Sequence, residues 1–356
     1  MSPSKRKNEQ DKWMPPRVYR GKSAYEYHPP GGGCIRLCPF TASKADVWLE
    51  YEKHYRADTK QGTVAFLIAG YTKSETFINL APETQKDYLD CKKRTEEAFG
   101  KMRAIDVQPK HVRQFMDHRG QESKHRANRE RTFLYNVMSW GHQRGHVDKN
   151  PCKPVQAFKL KPRDRYVTDE EYQHVYDIAP PNLQAAMEIA YLCAARSGDV
   201  RMLRLGDIKE EGLFIEQSKT GKKQIKAWTP RLRSAVSLAK KQPAKIDTTF
   251  IIHNKQGQPY TAKGIRGMFG KIVDKAMGIC RRDKSESDEA YEARKAEFIK
   301  QYPPQFTERF SLHDLKAKGI SDYQGDKQHF SGHKTSSMME TYNRTADVVD
   351  IVDPKK

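Results

Sequence analysis

The sequence predicts a multidomain, mainly α-helical chain with small β-sheets. Three observations predict this. A chain of 356 residues is too long for one compact core, so two or three domains are expected. Residues 62–150 and 168–195 carry apolar residues at helical spacing between proline and glycine stops. Period-two alternation is confined to short runs near 17–37 and 213–228, each broken by glycine-rich turns.

Charge narrows the function. The net charge is +20, and the positive residues run through the whole length. A polyanionic partner is therefore expected, with nucleic acid first. No apolar run approaches the roughly 18 residues of a membrane span. The basic N-terminus, Met1 to Lys7, lacks the apolar stretch of a signal peptide. Six cysteines stand at 34, 38, 91, 152, 193 and 280; only Cys34 and Cys38 are close, and no second pair completes a zinc quartet. Free thiols in a reducing cytoplasm are expected, with no bound metal.

Residues 1 to about 15 are polar and expected to be unstructured. Arg17–Arg20, Ala24–Tyr27 and Cys34–Leu37 then read as three strands of a small sheet, followed by a capped helix from Thr41 to His54. Residues 1–60 carry twelve Lys and Arg against seven Asp and Glu, so this unit can present basic strands to DNA, with Arg17, Arg20, Lys22 and Arg36 as candidate contacts. Pro82 starts a helix that Gly100 ends, Pro109–Met116 forms another, and Ala127–Gln143 is the clearest, with Phe133, Val137 and Trp140 in one stripe. Lys124, Arg126, Arg129 and Arg131 lead into it; a solvated face and a phosphate-binding face fit them equally. Pro151, Pro154 and Pro162, set among Lys and Arg, read as an extended basic linker.

Thr168 to Glu171 is a capping box that opens the last domain. Leu183–Ala195 is apolar on most sides and reads as its central buried helix. Leu213–Gln217 and Gln224–Trp228 alternate and enclose Lys219-Thr-Gly-Lys222, which makes a hairpin with a basic tip. The tip lacks the upstream glycine and the strand–loop–helix setting of a nucleotide-binding loop. Residues 281–300, with six basic and six acidic side chains, read as an exposed, partly helical insertion.

Four segments carry the chemistry. Arg196 follows the buried helix, where Ser197 can cap the next one; its guanidinium can grip two phosphate oxygens, or equally pair with Asp199 or Asp207. Lys219 on the tip can reach a DNA groove or donate a proton. Ser311–Asp314 is a capping box that starts a helix, so His313 and Lys316, three apart, share a face and can address one phosphate. Gly332-His333 reads as a turn, and Thr335 or Ser336 can cap a short helix that carries Tyr342 on its last turn.

In this order the segments resemble the tyrosine recombinase family, in its phage-integrase branch. The family pattern is an Arg, a hairpin Lys, His-x-x-Arg, Gly-His, and a Tyr nine residues on. Arg196, Lys219, His313, His333 and Tyr342 match it. Lys316 stands where most members carry Arg, which keeps the charge and loses the planar fork.

The resemblance implies an arm-type DNA-binding module over 1–60, a helical core-binding domain over 61–152, a linker over 153–167 and an α+β catalytic domain over 168–356 with a charged insertion near 281–303. It implies a site-specific recombinase of a temperate phage or integrative element, acting on double-stranded DNA at core and arm sites as a homo-tetramer on two duplexes. A DNA-bending host protein and an excisionase are the implied accessory partners, and the bacterial cytoplasm, at the nucleoid, is the implied location. Tyr342 would attack the scissile phosphate; Arg196, Lys316 and His333 would hold its oxygens, His313 would assist proton movement, and Lys219 would protonate the leaving oxygen, with no cofactor and no metal. Residues 348–352 form an apolar tail that can dock on a neighbour. The alternatives are a type IB topoisomerase, which shares this chemistry without a partner site, and a non-catalytic DNA-binding regulator.

Overall fold

The computed structural model describes residues 9–29, 32–60, 62–283 and 285–345, so the apolar tail at 348–352 lies outside the described residues. The chain divides into two compact units, residues 1–161 and 162–356.

The first unit contains two hydrophobic cores. The smaller is built on an antiparallel sheet of β1 (Val18–Arg20), β2 (Ala24–Tyr27) and β3 (Ile35–Pro39), in that order, with a bulge between Tyr25 and Glu26. Helix α1 (Lys44–Lys60) covers it, and the i,i+4 pair Val47 and Tyr51 packs with Val18, Tyr25 and Tyr27. Residues 9–15, expected to be unstructured, are ordered. Glu9–Asp11 forms a short 3-10 turn, Met14 joins the core, and the Trp13 carbonyl accepts from Trp48 Nε1 at 2.9 Å. Two apolar side chains outweigh the polar composition around them.

The larger core is helical: α2 (Val64–Thr72), α3 (Glu75–Ile78), α4 (Pro82–Phe99) and α5 (Pro109–His142). Pro82 occupies the first turn of α4, where its missing N–H costs no hydrogen bond. The two helices expected between 109 and 143 meet in α5 at Ser123, whose backbone is non-helical (φ −162°, ψ 108°). Ser123 Oγ accepts from the Arg126 N–H at 3.3 Å and so restarts the helix. Phe133, Leu134, Val137 and Met138 face Leu67 and Ile68 in the core. Residues 151–158 fold back onto α5, with Cys152 and Val155 buried and Asn128 bonding both the N–H and the carbonyl of Phe158 at 2.8 and 2.9 Å. The early part of the stretch read as an extended linker is therefore docked, because its apolar side chains find the helix.

In the second unit α6 (Asp169–Asp177) starts at the Thr168–Glu171 capping box. Helix α7 (Pro181–Leu192) is the buried centre, with Leu183, Met187 and Ile189 fully enclosed. Each such side chain contributes about 1.5–3 kcal/mol of burial. After α8 (Ser197–Met202) the hairpin β4 (Gly212–Glu216) and β5 (Lys223–Ala227) pairs antiparallel, Gly212 opposite Ala227. Then come α9 (Pro230–Lys240), α10 (Ala262–Ala276), the exposed α11 (Asp288–Gln301), α12 (Leu312–Asp322), α13 (Lys327–Ser331) and α14 (Ser336–Glu340). Helices α9 and α12 both pack on α7. Gly319 permits the α12 contact, since a Cβ there would lie 2.1 Å from the Tyr191 carbonyl oxygen. Among the described residues no helix is long and apolar enough to cross a membrane.

Candidate active site

The site begins where α7 ends. Helix α7 stops at Leu192, and Ala194 takes a left-handed backbone (φ 48°), uncommon for a residue with a Cβ. This turn sets Arg196 at the N-cap of α8, so Arg196 rather than Ser197 holds that position, with no side-chain cap bond. The guanidinium is mostly enclosed. Its Nη1 donates to Gln217 Oε1 at 2.7 Å and stands 4.0 Å from Asp199. Asp199 Oδ1 accepts from Ser218 N and Oγ at 3.1 and 2.7 Å, which fixes the start of the hairpin turn, while Oδ2, the oxygen nearest Arg196, is enclosed without a hydrogen-bond partner. Lys219 is exposed on that turn.

Helix α12 supplies the next two groups. The Ser311–Asp314 capping box forms as expected. His313 Nε2 lies 3.3 Å from Tyr342 Oη, and the two rings meet edge to face. Burial, with Lys316, Arg196 and Arg344, holds the His313 imidazole below its ordinary range against the opposing pull of Asp314. Lys316 is fully buried and donates from Nζ to the Ala194 carbonyl at 2.7 Å. Its ammonium lies 5.7 Å from the Tyr342 ring centroid. Burial, then Arg196 and Lys226, bring the Lys316 pKa down to about 7, with Asp199 opposing.

The third wall is the turn after α13. Asp326 caps this helix by accepting from the His329 N–H at 2.8 Å, and Gly332 closes it with φ 69°, a backbone suited to glycine. His333 follows, buried, with Nδ1 2.8 Å from Ser331 Oγ and with Nε2 enclosed and unpartnered. Burial, then Lys316 and Arg196, drive its pKa to about 4. Thr335 caps α14, accepting from the Met338 N–H at 3.3 Å. The helix ends at Glu340, so Tyr342 sits in the turn beyond it rather than on its last turn, with its N–H on the Met339 carbonyl at 2.8 Å. The tyrosine ring stacks on His333 at 4.7 Å between centroids. Beyond it, Arg344 Nη1 donates to Asp314 Oδ1 and to the Arg165 carbonyl, both at 2.8 Å, which ties the tyrosine segment to α12.

Five of the six expected catalytic residues thus converge: Arg196, His313, Lys316, His333 and Tyr342. Lys219 stays on the hairpin tip, outside the contacts that join the other five. Sequence reasoning did not single out Gln217, Ser331, Lys226 or Arg344. Lys226 is mostly enclosed, donates to the Phe330 carbonyl, and is lowered by burial to about 8. Polar residues inside alternating strands were the one available signal for Gln217 and Lys226.

The eight basic residues expected at DNA divide in two. Lys22, Arg36 and Lys124 are exposed, and Arg17 is half-buried. Arg20 is exposed but bonds Asp11 at 3.0 Å and lies over the Tyr25 ring. Arg126 and Arg129 both reach Asp87, at 3.3 and 2.8 Å. Arg131 clamps the carbonyls of Cys152 and Val155 at 2.7 and 2.6 Å. Among the described residues, the one group of His, Cys or carboxylate side chains close enough to share a metal ion is Glu26, His28 and Cys34, in the first unit.

Residues 165–284 match the phage integrase family. Over 363 aligned residues the chain is 26% identical to the integrase of Escherichia phage HK022, with 95% of each chain covered. The family match identifies a phage integrase domain in the second unit. The chain is a site-specific tyrosine recombinase. The integrase of Escherichia phage lambda is 30% identical over 207 residues, 56% of this recombinase and 52% of the relative. The fold of the recombinase matches a lambda integrase dimer solved bound to a COC′ core site, with TM-score 0.63 and 19% identity over 95% of this chain and 99% of that one. It also matches a lambda integrase tetramer solved bound to a Holliday junction, with TM-score 0.59 and 18% identity over 91% and 97%. The expected mainly helical, multidomain architecture with small antiparallel sheets is borne out.

Proposed function

We propose that this recombinase cleaves and rejoins DNA through a covalent 3′-phosphotyrosyl link at Tyr342. The observation that carries the reading is the Tyr342 hydroxyl, 3.3 Å from His313 Nε2, with its ring over His333 and the Lys316 ammonium. In the first step Tyr342 Oη attacks the scissile phosphorus, and the bond to the 5′-oxygen breaks. The phenolic proton passes toward His313, whose lowered pKa favours the neutral, accepting imidazole. Arg196, Lys316 and the unpartnered Nε2 of His333 take up the charge on the non-bridging oxygens. Lys219, free on the hairpin tip, protonates the departing 5′-oxygen. A 5′-hydroxyl from a partner duplex then reverses the step, and the tyrosyl ester conserves the bond energy without a nucleotide cofactor.

The substrate in this reading is double-stranded DNA, bound at a core site, with a homo-tetramer on two duplexes in the bacterial cytoplasm. The support is the pair of lambda integrase structures, one on a core site and one a tetramer on a Holliday junction. Residues 1–60 form an arm-type module for a second class of site; Lys22 and Arg36, exposed on or beside its sheet, support this. The isolated segment should bind DNA with an affinity that falls as salt rises, and a salt-independent or absent affinity would remove the module from the reading.

The decisive experiment uses nicked attachment-site DNA and scores an SDS-stable protein–DNA adduct. Wild type should form it, in EDTA as well as in Mg²⁺, since fixed cations serve the phosphate. Tyr342→Phe should bind the DNA and form none. An adduct that persists in Tyr342→Phe, or one that EDTA abolishes and Mg²⁺ restores, would overturn the mechanism.

A further inference from the structure

Each converging cation needs something to aim it, and the group that hydrogen-bonds Arg196 is not the Asp199 carboxylate, which stands 4.0 Å away. It is the side-chain amide of Gln217, a buried residue one position beyond β4. The amide makes three hydrogen bonds. Its Oε1 accepts from Arg196 Nη1 at 2.7 Å and from Thr220 Oγ1 at 3.1 Å. Its Nε2 donates to the Ser331 carbonyl at 2.9 Å. Those partners lie on the turn between α7 and α8 that carries Arg196, the hairpin turn that carries Lys219, and the helix end that carries His333. Gly332 lets the amide in, because a Cβ there would lie 2.4 Å from Gln217 Nε2.

We infer that Gln217 is a positioning residue of the recombination site, a single amide that fixes Arg196, the Lys219 turn and the His333 turn in one geometry. This inference rests on the Tyr342 reaction proposed above.

The chemistry of an amide suits the task. An acceptor face meets the guanidinium while a donor face meets a carbonyl, and neither end carries charge. A carboxylate there would hold Arg196 too, but would add a second negative charge to that of Asp199 beside the cation the phosphate needs, and would repel the Ser331 carbonyl. An aliphatic chain would hold neither and would leave Ser331 O without its donor. The three turns are separated by 21 and 114 residues along the chain, so no local element fixes their spacing. The amide supplies that constraint where the scissile phosphate must sit between Arg196 and His333.

The test compares Gln217→Met and Gln217→Glu with wild type on nicked attachment-site DNA, reading the single-turnover rate of adduct formation at saturating DNA, the DNA affinity and the folded fraction. Gln217→Met should slow cleavage by about a hundredfold, the penalty of an ångström-scale misplacement. Its DNA affinity and folded fraction should stay at wild-type level. In the Arg196→Ala background the same change should add little, because a residue that acts through Arg196 has nothing left to aim; losses that simply add would overturn the inference. Should Gln217→Met fold poorly, Gln217→Glu keeps the volume and the acceptor while losing the donor. It should also slow cleavage, and cleavage at the wild-type rate in either variant would overturn the inference. A wild-type adduct lost in Tyr342→Phe but retained at full rate in Gln217→Met would refute this inference alone. An adduct that survives Tyr342→Phe would refute the reading beneath it.

Discussion

Two sets of basic side chains in this molecule look alike in the sequence and differ in what holds them. On α5, Arg126 and Arg129 share the carboxylate of Asp87, and Arg131 holds two carbonyls of the segment that follows the helix. In the second unit Arg196 is held by an amide and Lys316 by a carbonyl, with Asp199 4.0 Å from the guanidinium. A carboxylate in direct contact opposes a cation's field, as Asp87 does for Arg126 and Arg129, whereas a neutral acceptor fixes the cation's direction and leaves more of its charge available. The lowered pKa values of Lys316 and His333 report burial beside other cations, which disfavours a further proton and which Asp199 only partly offsets at Lys316. An anion entering between them would relieve the strain. In the reading proposed above, the α5 set stabilises a domain and the second set serves a phosphate.

The sharpest way to break this contrast is at Lys316. Lys316→Ala should slow strand cleavage by about a hundredfold or more, since a lost contact to a developing anion costs roughly 2–4 kcal/mol of transition-state stabilisation. DNA affinity should barely move, because many other cations hold the duplex. Cleavage at the wild-type rate would remove Lys316 from the second-arginine role. The pH dependence adds a sign. With a pKa near 7 in the free protein, Lys316 is charged below that pH and loses its charge as pH rises through it. The rate at subsaturating DNA should therefore lose a cationic contribution above about pH 7 in wild type, and Lys316→Arg, always charged, should not. Superimposable pH profiles would show that the Lys316 charge is not used.

The next effect is on stability. Arg131→Ala strands two carbonyl oxygens that the guanidinium now satisfies, and should lower unfolding free energy by about 1–3 kcal/mol, read as a shifted denaturant midpoint. If instead stability holds and DNA affinity falls, Arg131 belongs with the phosphate contacts and the contrast fails.

The smallest effect is expected at Lys124. It is the one exposed member of its basic run, so Lys124→Ala should leave stability alone, weaken DNA binding evenly across sequences, and reduce the salt slope by about 1. An unchanged slope would mean that this face does not meet the backbone.

The local grammar of the chain was legible in advance. The capping boxes at Thr168 and Ser311, the proline start of α4, the hairpin around Lys219 and the glycine turn at Gly332 all form where the residues indicate. Such signals act within one helical turn or one hairpin, so a short window contains them. The misreadings share the opposite character. Residues 9–15 and 151–158 looked polar or basic in a window, yet Met14, Cys152 and Val155 are buried against elements far along the chain. For Arg131 a window offers a solvated face or a phosphate contact and hides its two carbonyl partners, which lie 21 and 24 residues away.

The sequence by itself determined which elements form, their order, and the set of side chains that could perform phosphoryl chemistry, because caps, turns and apolar periods are local physics. Only the tertiary structure decided which partner each cation received. Lys316 meets a carbonyl 122 residues upstream, Arg129 a carboxylate 42 upstream, and Arg196 an amide 21 downstream. A charge interacts with whatever lies within a few ångströms of it, and folding, not sequence spacing, sets that neighbourhood.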